Sequence, residues 1–309
     1  MGLFFSSDRF TRPGPGVRPD APRKKGVARL AEIMGRDMWN FFRAGFLAFL
    51  GCLPFIIGMF FAVETHALLF MLLAGLLAAC LGAMFGYLAG IIGGLIAGPE
   101  LSAMADTVLR SLRDEPGYWW ETYRRVWKRN ARESLVPGML TGLVLSMQIF
   151  TLFHMSVISA GIVTWVLLIL SFVVTLGLES YIWPQIALLD LPLYGILKNS
   201  LLLFLGYLPR SLGAIAIKAV YWGAILLFFP LTTIILPFTN FWLPMLPALL
   251  CIYQPLNKCF TIESTINKMR EDELNAALAK DNEPLPEDPT EKAEESTEAS
   301  SDDSSSDVQ

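Results

Sequence analysis

Histidine, charge and paired cysteine are all scarce in this chain. It has two His among 309 residues, and 17% of its residues are charged, against roughly 25% in a soluble domain. Cys52, Cys80, Cys251 and Cys259 stand singly, with no CxxC pair, so the spacing favours neither a metal site nor a disulfide framework. The GxSxG, P-loop and HExxH motifs are absent as well. The sequence therefore predicts a protein that is not an enzyme and that uses no cofactor.

What the chain does have is long uncharged stretches. Ala44–Val63 holds twenty residues without Asp, Glu, Lys or Arg, Thr65–Pro99 holds thirty-five, Ser134–Leu178 forty-five and Ala219–Asn257 thirty-nine. A hydrocarbon core of ~30 Å requires ~20 helical residues. The first stretch therefore predicts one membrane span, and each of the two longest predicts two spans joined by a turn.

The distribution of cations decides how often Thr65–Pro99 crosses the membrane. Nine Lys and Arg precede Ala44, and seven more lie between Glu100 and Glu133. Short positively charged segments stay in the cytoplasm, so an even number of spans must separate these two groups, and Thr65–Pro99 is one long span. The predicted outer turns, near residues 64–66, 155–159 and 237–241, contain no cation. The sequence thus predicts a multi-pass protein of the cell membrane, the inner membrane of a bacterium, with both termini in the cytoplasm.

These arguments predict an all-α fold, a polytopic membrane helix bundle with six transmembrane helices and cytoplasmic interfacial helices. We expect a disordered basic arm over residues 1–26, a membrane domain over 27–270 and an acidic disordered tail over 271–309, which has fourteen acidic and two basic residues. The predicted spans cover about residues 44–63, 70–97, 134–155, 160–184, 212–236 and 240–257.

Interfacial helices are predicted on the cytoplasmic side. Apolar residues recur at helical spacing over residues 27–42, and Pro99 is expected to begin a helix that ends before Pro116-Gly117. A second helix with aromatic and basic residues follows, from Tyr118 to Arg132. Aromatic and basic side chains together are typical of the headgroup region. The expected partners are therefore the lipid bilayer and anionic headgroups of the inner leaflet, and nucleic acid is not expected.

Small residues recur at every fourth position of the second predicted span. A row of this kind lets another helix approach closely. Two interpretations remain open, namely packing within one subunit or a seam with a second copy or another membrane protein. The seven positions of this predicted helix-packing groove are Ala74, Ala78, Gly82, Gly86, Gly90, Gly94 and Gly98.

Glu179 is an acidic residue with long apolar stretches on both sides. An ionisable group within a span is a candidate functional residue. It could instead serve structure, by reaching the cytoplasmic interface or by pairing with Lys198 or Lys218. The last two predicted spans are also rich in proline, as are the broken helices of transporters.

The segment from Gly98 to Leu135 resembles the YesL family of bacterial membrane proteins. The similar elements are Gly98-Pro99, an acidic-Gly-aromatic break over residues 114–120 and the pair Arg129-Asn130. The residues 198–201, Lys-Asn-Ser-Leu, are similar to a later element of that family. A departure is the longer membrane section before Gly98. The resemblance implies an integral membrane protein that assists carbohydrate uptake, and it supplies no catalytic residues.

Two functional hypotheses follow. The first is a non-catalytic accessory component of carbohydrate uptake, favoured by the resemblance, by the small-residue row and by the missing enzyme motifs. The alternative is a small-solute transporter that uses Glu179 and the proline-broken final spans.

Overall fold

The computed structural model describes residues 24, 26–72, 76–115, 118–155, 161–228 and 231–281. Within these ranges the chain is helical and has no strand, as the sequence predicts. The described residues divide into two units, with the boundary between Leu256 and Asn257. The predicted basic arm lies almost wholly outside the described residues, as does the predicted tail beyond residue 281.

Nine helices follow one another in the described residues. Their bounds are α1 Gly26–Leu72, α2 Leu76–Arg113, α3 Trp119–Phe153, α4 Ile162–Leu188, α5 Leu193–Gly206, α6 Leu208–Leu227, α7 Thr232–Thr239, α8 Trp242–Phe260 and α9 Ile262–Asp281. The first residues of the predicted tail, 271–281, belong to α9.

The first helices are longer than the sequence predicts. The expected interfacial helix and first span form a single helix, α1, which continues through residues 64–66 where an outer turn was predicted. Pro99 does not begin a helix but lies inside α2. Residues 55–72 contain no proline that would end α1. Pro99 is accommodated inside α2 although it removes one backbone hydrogen bond and crowds the preceding turn.

The break between α2 and α3 lies where the sequence predicts it. Asp114 has a φ of 60°, and the amide groups of Asp114 and Glu115 donate to the carbonyl oxygens of Ser111 at 3.3 Å and Arg110 at 3.0 Å. These two bonds form a Schellman motif, in which a left-handed residue ends the helix. Asp tolerates this conformation better than most side chains do.

Five of the described helices are long and apolar enough to cross a membrane, namely α1, α2, α3, α4 and α6. The sixth predicted span, residues 240–257, corresponds to α8, which is not among them. Pro244, Pro247 and Pro255 lie in α8, together with polar residues near its end, and these lower its apolarity. The turn predicted near 237–241 corresponds to the break between α7, which ends at Thr239, and α8, which begins at Trp242, and a further break that was not predicted lies between Leu227 of α6 and Thr232 of α7.

The long helices have an exposed half and a buried half. In α2 the exposed half is residues 80–96, where apolar side chains such as Met84 and Leu88 are exposed. The buried half is residues 97–113, in which no residue is exposed. In α4 the corresponding parts are residues 162–176 and 177–187. The core of the first unit therefore lies at one end of the bundle, where α8 also packs.

Candidate functional site around Glu179

The small-residue row of α2 packs against α3 of the same chain. A Cβ atom built on Gly94 would lie 2.8 Å from the carbonyl carbon of Gly138 and 3.2 Å from the Cα of Gly142. A Cβ atom built on Gly90 would lie 2.6 Å from the carbonyl oxygen of Gly142, and one built on Gly98 would lie 3.4 Å from the Cα of Gly138. Only glycine permits backbones to approach this closely. These three positions therefore pack within one subunit.

The other positions of the row contribute less. A Cβ atom built on Gly86 would lie 3.5 Å from the Cβ of Ala62, which is an ordinary contact distance. Gly82 is buried. Ala78 lies in α2, but its side chain is outside the described residues, and Ala74 is outside them altogether. The row thus packs backbone to backbone against α3 at the three positions Gly90, Gly94 and Gly98.

Sequence reasoning missed the partner of this row. Ser134, Gly138, Gly142 and Ser146 recur at every fourth position of α3, and a search for that spacing in each predicted span would have found them. The hydroxyl groups of both serines donate to carbonyl oxygens of their own helix, Ser134 to Ala131 at 3.1 Å and Ser146 to Leu143 at 2.7 Å. Two matched rows of small residues therefore form one seam between antiparallel helices.

Glu179 lies in the buried half of α4, where two groups approach its carboxylate. The indole nitrogen of Trp183 donates to Oε1 at 3.3 Å, and Nζ of Lys218 lies 3.9 Å from Oε2. The expected pairing with Lys218 is therefore present, and the other expected partner, Lys198, is an exposed residue of α5. Lys218 is itself buried within α6. Each charge would cost several kcal/mol to bury alone, and pairing offsets part of that cost.

A cavity of about 80 Å³ reaches Glu179 from the side of the glycine seam. Its lining comes from α1 to α4 and from Phe241, the residue just before α8, and it includes Cys52, Gly94, Gly142 and Trp183. Glu179 is the one acidic or basic residue in that lining, whose surface is otherwise almost wholly apolar. A volume of this size accommodates a few water molecules.

A second, smaller cavity of about 10 Å³ is also lined by Glu179. Glu179 and Lys218 both line it, together with Met245, Leu249 and Ile252 of α8. Glu179 thus lines two small cavities, and residues of α8 line the second one together with the ion pair.

The chain breaks between α7 and α8 beside this site. Asn240 is fully buried at the break, and its side chain bonds the backbone on both sides. Its amide nitrogen donates to the carbonyl oxygen of Pro237 at 3.0 Å, and its Oδ1 accepts from the Trp242 amide at 3.3 Å. Freed backbone groups at such a break need partners within the protein. The side chain of Asn240 supplies two of them.

Helix α1 packs closely against this break. A Cβ atom on Gly45 would lie 2.6 Å from Cδ1 of Trp242, so this position requires glycine. Trp242 stacks on Phe41 with ring centroids 5.8 Å apart, and Phe238 stacks on Phe42 at the same distance. Such aromatic pairs each contribute about 1 kcal/mol beyond area burial. The break is therefore held by both aromatic stacking and hydrogen bonds.

An ion-pair network joins α1 to the end of α2, farther along the buried half. The guanidinium of Arg29 donates to Asp114 at 2.6 Å and to the Leu112 carbonyl oxygen at 3.1 Å, and Arg36 also bonds Asp114. Burial alone would raise the pKa of Asp114, but the bonds from the two guanidinium groups outweigh it and hold that pKa below its ordinary value.

The site combines a paired carboxylate, a small apolar cavity and a discontinuous helix. A carboxylate beside an ammonium can exchange a proton or a cation, whereas the cavity offers no set of polar groups for a larger polar solute. Comparison of the chain with family models, with curated proteins and with solved structures gives no match.

Proposed function

We propose that this multi-pass membrane protein is a non-catalytic accessory component of carbohydrate uptake in the bacterial inner membrane. The YesL-like segment supports the carbohydrate assignment. The five apolar helices support insertion into a membrane, and the one-sided distribution of cations supports the inner membrane with both termini in the cytoplasm.

The observation that carries the accessory role is the size of the space inside the bundle. The cavity at Glu179 measures about 80 Å³, whereas sites for drug-sized ligands measure roughly 300–1,000 Å³. The seam between α2 and α3 also opposes any separation of these two helices that would enlarge the cavity, since their glycine backbones are already in contact. A protein of this kind is better suited to support a transport partner than to pass a sugar itself.

The proposed topology treats α7 and α8 as one discontinuous sixth crossing. Three contacts support it. The hydroxyl of Thr239 lies 2.9 Å from that of Tyr221 in α6, Trp222 packs on Phe241 at 5.3 Å, and Met245 and Ile252 reach the Glu179 cavity. α7 therefore returns beside α6, and α8 continues along the buried half of α4.

Reporter fusions test this topology. Green fluorescent protein fused after Arg113 and after Asp281 should fluoresce in both cases, because it folds in the cytoplasm. Alkaline phosphatase fused after Phe228 should be active, because that position would lie outside. An active phosphatase after Asp281 would contradict the sixth crossing, and an active one after Arg113 would contradict the whole orientation.

Uptake measurements test the accessory role. Cells that lack the protein should take up one or more labelled sugars more slowly, and purified protein in vesicles should move none of them. Re-expression of the wild-type chain should restore uptake, whereas Gly94→Val should not, because it opens the seam. Sugar flux in vesicles that contain this protein alone would refute the accessory role.

A small-cation or proton transporter is the second candidate. The Glu179–Lys218 pair favours it, because an ionisable pair that contacts two cavities and lies beside a broken helix is a candidate for an ion or proton pathway. Vesicles with an imposed proton or sodium gradient should then show flux that Glu179→Gln abolishes, while Glu121→Gln, at an exposed residue of α3, leaves it intact. Equal flux in both variants would eliminate this candidate.

A further inference from the structure

A polar pocket lies at the junction of α1, α2 and α3, apart from the Glu179 site. It has a volume of about 50 Å³ and is open on one side. Eight of its nine lining residues have polar side-chain atoms, in contrast to the cavity at Glu179. These residues are Asp37, Asn40, Thr107, Arg110, Ser111, Glu115, Trp119 and Thr122, and Phe41 completes the lining.

The charged groups of this pocket already have partners of opposite charge. Asp37 accepts from Arg36 at 2.9 Å, and Arg110 donates to Asp106 at 2.7 Å. Glu115 accepts from Arg113 at 2.8 Å. An ion entering the pocket would therefore meet no unbalanced charge, and a neutral ligand is favoured.

Three neutral polar groups remain for such a ligand. The indole N–H of Trp119 is buried and has no hydrogen-bond partner among the described residues. Leaving such a donor unpaired costs about 1–3 kcal/mol, so it calls for an acceptor. The amide of Asn40 and the hydroxyl of Thr122 line the same space, and each can both donate and accept. Together they match the alternating donors and acceptors of neighbouring hydroxyl groups.

The surroundings place this pocket where a lipid headgroup or a dissolved solute could reach it. Trp39 and Trp120, the chain neighbours of the lining residues Asn40 and Trp119, have exposed rings. The guanidinium of Arg43 lies over the rings of both Trp39, at 5.4 Å, and Trp119, at 5.7 Å. Aromatic residues that combine with a cation in this way are characteristic of the membrane–water interface.

We propose that the pocket at Asn40, Trp119 and Thr122 binds a neutral polyol group through the buried indole N–H of Trp119. The polyol is either a free solute or the glycerol headgroup of a phospholipid, since both present neighbouring hydroxyl groups. This site does not depend on the accessory role, because binding is a property of the purified protein alone.

Nuclear magnetic resonance of the full chain in nanodiscs tests the proposal. With ¹⁵N-labelled tryptophan, Trp119→Phe identifies the Trp119 indole signal among the eight tryptophans. Glycerol and sorbitol added to phosphatidylcholine nanodiscs test the free polyol, and sodium phosphate provides the ionic control. Phosphatidylglycerol compared with phosphatidylserine tests the headgroup at equal charge, because only the former has a free diol.

A saturable shift of the Trp119 signal with free polyol, or a shift in phosphatidylglycerol but not in phosphatidylserine, supports the site and tells the two sources apart. Asn40→Ala should weaken binding about fivefold to tenfold, the effect of one hydrogen bond, and Thr122→Val should weaken it similarly. The other indole signals show that each variant is folded. A Trp119 signal that no addition moves, or one that moves equally in Asn40→Ala, would overturn the proposal.

Discussion

Along α2, residues 80–96 and residues 97–113 belong to one helix but have different surroundings. Met84, Phe85 and Leu88 in the first part are each close to half exposed, which suits contact with lipid tails. In the second part Asp106 and Arg113 are buried among apolar residues. The same contrast separates the two parts of α4. One bundle therefore has a lipid-facing half and a half packed like the interior of a soluble protein.

The two halves are held together by different forces. Between helices in lipid there is little hydrophobic driving force, so close packing and hydrogen bonds must hold the exposed half. The glycine seam supplies the packing, and Gln148 supplies hydrogen bonds to Ser171 at 2.5 Å and to Thr175 at 2.8 Å. The buried half relies instead on ion pairs and aromatic stacking. Substitutions in the two halves should therefore destabilise the protein through different interactions.

The largest effect is expected in the seam. Gly94→Ala places a methyl group 2.8 Å from a backbone carbon of Gly138, and backbone cannot move aside as a side chain can. We expect a loss of about 3 kcal/mol of stability, measured as a lower temperature of unfolding in detergent.

Gly223→Ala is the matched control, because a Cβ at Gly223 meets nothing within 4 Å. It should leave the unfolding temperature unchanged or raise it, since alanine favours the helix by about 1 kcal/mol. If both variants unfold at the wild-type temperature, packing between α2 and α3 does not hold the exposed half.

The seam also shows which features a sequence can reveal. The four-residue spacing of Gly86, Gly90, Gly94 and Gly98 is local, so the sequence alone could predict a face for close packing, and Gly90, Gly94 and Gly98 lie against α3. The partner helix was not predicted, because that requires matching two distant segments. The break at Asn240 lies within the predicted turn near residues 237–241, but the additional break between Leu227 and Thr232 was not predicted, because several prolines between residues 230 and 247 each could have ended a helix. Tertiary contacts with Gly45 and Phe41 are what localise the break at Asn240.

The Glu179 site was only partly predictable for the same reason. A lone carboxylate between apolar stretches is visible in the sequence, and Lys218 was one of two expected partners. The cavity depends on side chains from five segments of the chain, and no local pattern relates Cys52 to Phe241. The polar pocket at Trp119 is likewise formed by three helices, so its buried indole N–H has no sequence signature.

A smaller effect is expected in the buried half at Asp106. Its carboxylate is buried and bonds Arg110 at 2.7 Å, so Asp106→Asn leaves Arg110 without its closest anion. Breaking a fully buried pair costs about 3–5 kcal/mol, and because the Arg110 side chain is 34% exposed we expect about 2 kcal/mol. Chemical denaturation in detergent measures it. Glu121→Gln, at an exposed carboxylate, is the control, and an equal loss in both variants would show that the pair does not stabilise this half.

The smallest effect, at Asp114, would sharpen the comparison at the edge of the buried half. Arg36 and Arg29 lower the pKa of Asp114 in the folded protein. The carboxylate therefore contributes fully to the free energy of unfolding at a pH above its unfolded-state pKa, and this contribution is lost as the pH falls through its lower folded-state pKa. Asp114→Asn keeps a side chain that tolerates a positive φ but removes the charge. Because Asp114 is one-third exposed, we expect a loss of at most about 1 kcal/mol at neutral pH. The difference from wild type should shrink as the pH falls below about 4 and vanish below the folded pKa of Asp114. A difference that persists unchanged in strong acid would assign the effect to the Schellman turn and not to the two guanidinium groups.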